Sequence, residues 1–250
     1  MVPRVGTVTS SPATTASPAD ETATRRELQR LATHVLARAR ADHGGRFGLR
    51  ATPSGVGTPL FGPDDTTVRL AGTSLVLEHQ TPDGATASVL DLAGRTLADA
   101  ATFVGVDLGP AFAPGGDAPA LGDPDALLDL DPAAAAGLLA WFPTGAQVLD
   151  ALLPELTAPT AAQVWPEHFD LGLASVTGSG GVTLGASPGD DAVPEPYVYV
   201  APWDPVRPGD GAYWNAPFGA VVTRADLAGS DTVEGALAFV RRGLALLGPA

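Results

Sequence analysis

His168 and Asp170 are the two residues of this sequence whose types and spacing could do chemistry together. They are separated by one position, and alternate side chains of a β-strand emerge on the same face. An imidazole held beside a carboxylate can serve as an oriented general base. The spacing therefore predicts His168 and Asp170 as catalytic residues on one face of a strand.

Room for a ligand is predicted beside this pair. We expect one strand over residues 164–174, in which Gly172 and Ala174 follow Asp170 on the same face and leave space above the sheet. The alternate positions, which we expect to enter the core, are Trp165, Glu167, Phe169, Leu171 and Leu173. The residues predicted to bind a ligand at this pocket are Ser187, Glu195, Tyr197, Tyr199 and Trp203.

A metal site is the first alternative for the same residues. A His and an acid on one strand face resemble the iron site built from two His and one carboxylate. No His follows His168, so a closed site would need His43 or His79 from the other half of the chain, or further acids near residue 190. The sequence therefore predicts no metal site and leaves any other cofactor undefined.

Two hydrolase patterns are also present. Residues 185–189 match the serine-hydrolase motif G-x-S-x-G, but the residue after Ser187 is Pro188, which lacks the N–H that an oxyanion hole uses. Asp170 with Glu195, or Asp190 with Asp191, could form the carboxyl pair of a glycosidase. The nearby aromatic residues could then stack on a sugar, although aromatic side chains on a strand more often belong to the core.

Composition excludes several classes of function. The chain has 250 residues, 45% of them apolar, and a net charge of −14 with no Lys and no Cys. Nucleic-acid binding needs a basic surface, and anionic membrane surfaces also attract basic proteins, so neither partner is expected. Disulfides, thiolate metal sites and lysine Schiff bases are excluded. Neither a secretory signal nor an apolar run near the ~20 residues of a membrane span is apparent, so we expect a cytoplasmic protein.

The elements that must position the site are predicted from periodicity and turn residues. Helices are expected over residues 18–42, 97–104, 133–141, 144–153 and 231–247, with Phe142 and Pro143 breaking the third from the fourth. Strands are expected over residues 46–52, 58–61, 67–71, 74–79, 85–90, 164–174, 181–187, 197–201 and 218–223. The close spacing of the first five strands favours an antiparallel meander.

The domain organisation follows from these elements. Residues 1–17 are rich in Ser, Thr, Pro and Ala and are predicted to be a disordered tail. Residues 18–250 are predicted to form a single α+β domain, in which a mainly antiparallel, twisted sheet carries helices on one face and at its ends. The Gly- and Pro-rich residues 108–124 are the place where an internal boundary could fall.

Two segments in the C-terminal third carry a resemblance, WPEHFDLGLAS and GASPGDDAVPEPYVYVAPW. They resemble an uncharacterised, largely actinobacterial protein family and, more remotely, a domain-of-unknown-function family. The matching positions are Trp165, Phe169, Asp170, Leu171, Ser187 or its neighbour, Pro188, Gly189, Pro194, Glu195, Pro196, Tyr197 and Tyr199. The sequence departs from the pattern at Glu167 and His168. The resemblance implies a shared fold and no particular reaction, and it assigns no role to His168.

Three functions stay open at this point. The first is a small-molecule binding module with a polar pocket around His168 and Asp170. The second is an enzyme of hydrolase or lyase type in which those two residues form an oriented base. The third is a structural or regulatory interaction protein without a pocket. A concave pocket would favour either of the first two, and a flat surface would favour the third.

Overall fold

The computed structural model describes residues 16–82, 84–109, 112, 114–229 and 231–250. Nearly all of the predicted tail over residues 1–17 lies outside the described residues. The helices are α1 (Pro18–Leu31), α2 (Arg38–Gly44), α3 (Leu97–Val104), α4 (Pro132–Leu139), α5 (Trp141–Leu152) and α6 (Thr232–Leu247). The strands are β1 (Arg50–Thr52), β2 (Gly55–Gly57), β3 (Thr66–Ala71), β4 (Ser74–Thr81), β5 (Gly84–Asp91), β6 (Gln163–Trp165), β7 (Asp170–Thr177), β8 (Gly180–Ser187), β9 (Tyr197–Pro202) and β10 (Ala220–Thr223).

The strands form two antiparallel five-stranded sheets. The first runs β1-β2-β3-β4-β5 and the second β10-β9-β8-β7-β6. Leu49 and Val164 exchange two backbone hydrogen bonds of 2.8 and 2.9 Å, which link the β1 edge of one sheet to the β6 edge of the other. The predicted α+β class with a mainly antiparallel sheet is confirmed.

The first helical segment supplies the wall of the site described below. Ser17 caps α1, since its hydroxyl accepts from the backbone N–H of Asp20 and the Asp20 carboxylate accepts from the backbone N–H of Ser17. The segment continues through a buried π-helical turn, Ala32–Ala37, into α2, and it ends at Gly45 with a φ of +66°. The predicted helix over residues 18–42 is thus present, with an irregular turn at its centre.

Helices cover one face of the second sheet. The side chains directed to that face are apolar and buried, among them Leu171, Leu173, Leu184 and Val200. Helix α5 packs against β8 so closely that a Cβ added to Gly145 would lie 2.5 Å from the Cβ of Ala186. Because the helices occupy this face, the opposite face of β7, β8 and β9 is left for the site.

The helical run Pro132–Glu155 is long and apolar enough to cross a membrane by length and composition alone. Its apolar residues include Phe142, Val148, Leu149 and Leu152, which are buried in the hydrophobic core. Core packing therefore accounts for the apolar residues on the buried side of this run, and 44% of its most apolar stretch is buried.

Several predicted boundaries are wrong. The second strand is Gly55–Gly57 instead of residues 58–61. The N–H of Thr58 still donates to the carbonyl oxygen of Val68, but the N–H of Val68 donates to the Thr58 hydroxyl, so the regular backbone pairing ends there. Helices α4 and α5 meet at Ala140, before the predicted break. Pro143 lies in the first turn of α5, where its missing N–H costs no intrahelical hydrogen bond.

The described part of residues 108–124 packs against the first helical segment. Arg30 donates to the carbonyl oxygens of Leu121 and Asp123, and His34 Nε2 lies 2.9 Å from the carbonyl oxygen of Pro119. Burial lowers the pKa of His34. The division of the chain into a tail and one domain stays a prediction.

Candidate functional site

The predicted strand over residues 164–174 is interrupted by a turn. Strand β6 ends at Trp165, residues 166–169 turn, and β7 begins at Asp170, directly opposite Trp165. Phe169 takes a left-handed backbone conformation, with a φ of +53°, and its ring is fully buried. The prediction that one pleated strand aligns His168 with Asp170 is therefore wrong, because the left-handed residue between them ends the alternation of faces.

This turn also reverses the predicted orientation of Trp165. Residues that face each other across an antiparallel ladder point to the same side of the sheet. Trp165 therefore shares the face of Asp170 and is 36% exposed, although the alternation predicted a core position. Phe169, Leu171 and Leu173 are buried as the alternation predicted.

A floor of small residues extends across the middle of the second sheet. Gly172 pairs with Gly185, Ala174 pairs with Thr183, and Thr183 pairs in turn with Ala201. A cleft with a volume of about 1460 Å³ lies over this floor. It includes the positions Gly172 and Ala174, over which the sequence predicts a pocket.

Helix α1 forms one wall of the cleft through Arg25, Arg26, Gln29 and Arg30. Arg25 and Arg26 both donate to Asp191 Oδ1, at 3.1 and 3.2 Å. Gln29 donates to the carbonyl oxygen of Glu167 at 2.7 Å, which holds the helix against the turn between β6 and β7. The Arg side chains on this wall are thus tied to carboxyl or carbonyl oxygens of the protein itself.

Asp170 is a carboxyl group of the cleft whose pKa is raised by its surroundings. Its Oδ2 accepts a 2.5 Å hydrogen bond from the hydroxyl of Tyr199, while its enclosed Oδ1 has no hydrogen-bond partner among the described residues. Burial raises the pKa of Asp170, and the neighbouring charge of Glu167 adds to the rise, against the opposing effects of the Tyr199 hydrogen bond and His168. Asp170 can therefore hold a proton at a pH where an ordinary Asp is ionised.

Tyr197 makes a second contact of the same kind beside the first. Its hydroxyl donates to Asp190 Oδ2 at 2.5 Å, and Asp190 Oδ1 accepts from the backbone N–H groups of Ala192 and Val193. Burial and the contact with Asp190 raise the pKa of Tyr197, and burial together with Asp170 raises the pKa of Tyr199. Both phenols are therefore neutral hydrogen-bond donors, and their rings lie 6.1 Å apart.

His168 lies at the rim of the cleft. Its side chain is half-exposed, and its Nδ1 lies 3.9 Å from Asp117 Oδ2. Asp117 and His168 both line the cleft, while the Asp170 carboxyl is bonded to Tyr199. The carboxylate at ion-pair distance from His168 is therefore the one on Asp117, which the sequence analysis did not single out.

The other predicted ligand-binding residues divide into two groups. Ser187, Tyr197, Tyr199 and Trp203 line the cleft together with His168 and Asp170. Glu195 does not line it, because its carboxylate turns to the backbone N–H of Ala225 at 3.2 Å. The hydroxyl of Ser187 is buried and bonded to the backbone of Gly189, which agrees with the rejection of Ser187 as a nucleophile.

Sequence reasoning missed the wall residues of α1 and their pairing with Asp191. Four polar residues recur at helical spacing away from the apolar stripe of α1: Arg25, Arg26, Gln29 and Arg30. This spacing indicates a polar helix face, but it does not indicate which part of the chain packs against that face. Glu167 was assigned to the core by alternation and is indeed buried, and its Oε2 has no hydrogen-bond partner within the part of the chain that the structure describes. Among the residues described by the structure, no group of three or more His, Asp or Glu could hold a metal ion.

Replacing Asp170 should change how stability depends on pH. The folded state binds the Asp170 proton more tightly than the unfolded chain, whose Asp pKa is near 3.8, so stability falls as pH rises from that value through the raised folded-state pKa. Asn is neutral throughout, and its oxygen can still accept from Tyr199. The free energy of unfolding of Asp170→Asn, measured with urea and taken relative to wild type, should therefore increase as pH rises.

Asp191→Asn is the matched control, with the opposite sign. Hydrogen bonds from Arg26 and Arg25 lower the pKa of Asp191, so its stabilising effect is present above the ordinary Asp pKa and is lost as pH falls through the lowered one. The unfolding free energy of Asp191→Asn relative to wild type should decrease as pH rises. Parallel curves for the two variants would contradict the assignment of a protonated Asp170.

Compared with protein-family models, curated proteins and solved structures, the chain has no match. The resemblance of residues 165–199 to an actinobacterial family therefore stays a prediction. The inference of function depends on the cleft itself.

Proposed function

We propose that this protein is a small-molecule binding module whose ligand occupies the cleft over Gly172 and Ala174. The single observation that carries the proposal is the cleft of about 1460 Å³, floored by small residues and walled by both aromatic and polar side chains. Ligand sites are typically concave, mostly apolar, and supplied with a few convergent polar groups. The hypothesis of an interaction protein without a pocket predicted a flat surface around His168. The concave surface found there favours ligand binding over that hypothesis.

Preformed hydrogen bonds support a binding role. Two hydrogen bonds, Tyr199 to Asp170 and Tyr197 to Asp190, fix four polar side chains that line the cleft before any ligand arrives. Side chains that are already held lose little conformational freedom when a ligand binds. This arrangement favours a ligand that uses the remaining donor and acceptor capacity of these groups.

A hydrolase- or lyase-type enzyme is the second candidate, and the raised pKa of Asp170 favours it. A carboxyl group kept protonated by burial can act as a general acid. In this alternative Asp170 donates a proton to a leaving group, and His168 at the rim accepts one from water. Loss of hydrolysis of chromogenic esters and glycosides in Asp170→Asn, with retained binding, would support the enzyme over the binding module.

The proposal includes the cellular setting and the partners. The net charge of −14 disfavours nucleic acid and anionic membranes, so the partner we propose is a small molecule in the cytoplasm.

The test is a thermal-shift screen with four named probe sets: neutral oligosaccharides, nucleosides, primary amines and dicarboxylates. A ligand at 100 times its Kd stabilises the folded state by about 2.7 kcal/mol, or on the order of 5–10 °C in Tm for a chain of this size. The blocking variant is Ala174→Phe, which places a ring on the cleft floor, and the control is Ala87→Phe on the exposed strand β5.

We expect at least one probe set to raise the Tm of wild type and of Ala87→Phe but not that of Ala174→Phe. Stabilisation that survives Ala174→Phe would place the ligand elsewhere and overturn the proposal. A screen in which no probe shifts wild type would also overturn it.

A further inference from the structure

Trp203 lines the cleft and is held against the sheet. A Cβ added to Gly181 would lie 2.1 Å from Cε3 and 2.3 Å from Cδ2 of the indole, so the ring system lies directly over that glycine. The indole N–H donates to Thr183 Oγ1 at 3.0 Å, which fixes the orientation of the ring. Trp203 is nevertheless 66% exposed, so one face of the indole covers the sheet and the other is open.

The floor between Trp203 and Asp170 extends along the strands. The Trp203 indole reaches Thr183, which pairs with Ala174, and Ala174 lies four residues after Asp170 on β7. At about 3.3 Å per residue, the floor is roughly 13 Å long. Its length suits a ligand made of several units in a row better than a single compact molecule.

The Arg side chains that line the cleft are already paired. Arg25 and Arg26 share Asp191, and Arg30 is paired with Glu27 at 2.7 Å. An anionic ligand would compete with these pairs, whereas a neutral ligand would leave them intact. The planar amide of Gln163 also lines the cleft.

We propose that the cleft binds a neutral oligosaccharide, with one sugar ring stacked on the open face of Trp203 and further rings along the floor toward Asp170. A sugar ring presents C–H groups to an aromatic face and hydroxyl groups at its edge, and each hydroxyl both donates and accepts hydrogen bonds. The small residues Ala174 and Ala201 let sugar rings approach the sheet. This inference rests on the proposed binding function and names the ligand class of the same site.

The test uses neutral hexasaccharides of glucose, xylose, mannose and N-acetylglucosamine, with binding followed by calorimetry and by indole fluorescence. We expect at least one hexasaccharide to bind wild type. Trp203→Ala should weaken that binding tenfold or more, and Trp203→Phe should weaken it less because an aromatic ring remains. The matched control is Trp214→Phe, because Trp214 lies outside the cleft and its indole donates to the carbonyl oxygen of Pro208. That control should bind as wild type does.

The outcomes separate this inference from the function on which it rests. One outcome is that no hexasaccharide binds, while nucleosides, amines or dicarboxylates bind wild type and fail to bind Ala174→Phe. In that case the sugar inference fails and the binding function stands. Hexasaccharide binding that is unchanged in Trp203→Ala would also overturn the inference. If no probe of any class binds, both proposals fail together.

Discussion

Gly185→Ala is expected to destabilise the protein by about 2–3 kcal/mol, near the upper end for overpacking a well-packed site. A Cβ at this position would lie 2.4 Å from the backbone oxygen of Leu171 and 2.4 Å from the hydroxyl of Tyr199. The first of these contacts is to backbone of the neighbouring strand, which cannot move without disturbing the ladder. The second would push the phenol away from Asp170 and weaken its hydrogen bond.

Gly172→Ala is the matched control, because Gly172 pairs with Gly185 across the same ladder. A Cβ there would lie 2.9 Å from the Tyr199 hydroxyl and 3.6 Å from the nearest backbone oxygen, that of Leu184. Replacing Gly by Ala also restricts the unfolded chain, which stabilises the folded state by ~0.4–1 kcal/mol where the backbone is compatible. We therefore expect Gly172→Ala to cost clearly less than Gly185→Ala in urea denaturation, because its one contact below 3 Å is to the end of the Tyr199 side chain and none is to backbone. Equal costs for the two variants would contradict the packing described for the floor.

The contrast between these glycines shows what the sequence could predict about the site. The run from Asp170 to Ala174 contains two small residues on one face, so an open floor could be predicted from β7 alone. The partners of that floor lie on β8 and β9, where Gly185 and Tyr199 meet it through strand register. Register depends on tertiary pairing, so the sequence could not predict which glycine tolerates a methyl group.

The fold was predictable where local signals agree. The capped start of α1 at Ser17 and the β-branched and aromatic run of β9 both form as their sequences indicate. The wall of the cleft could not be predicted in this way. Arg25 and Asp191 are 166 positions apart, and nothing in either local segment indicates the other.

The turn between β6 and β7 is the main error, and its cause is local. The alternation of Trp165, Phe169 and Leu171 with smaller residues matches a strand. A positive φ at a residue other than Gly is uncommon, so the sequence pattern does not predict the left-handed conformation of Phe169. Burial of the Phe169 ring must therefore outweigh the cost of its backbone conformation, which is of order 1–3 kcal/mol for such residues.

Removing the ring of Phe169 tests this balance. Phe169 is fully buried and makes an edge-to-face contact with Phe142, with ring centroids 5.1 Å apart. Phe169→Ala should lower the free energy of unfolding by about 3–5 kcal/mol, the usual cost of deleting a buried aromatic ring. Because glycine adopts a positive φ without steric cost, Phe169→Gly should be less destabilising than Phe169→Ala by roughly 1 kcal/mol.

Phe142 provides the matched control, because it contacts the same ring from a regular position in α5. In a helix glycine is less favourable than alanine by about 1 kcal/mol, so Phe142→Gly should be more destabilising than Phe142→Ala. Urea denaturation of the four variants should therefore give opposite orders of Ala and Gly at the two positions. The same order at both would mean that Phe169 does not hold a left-handed conformation, and the turn that brings Trp165 opposite Asp170 at the cleft would lose its support.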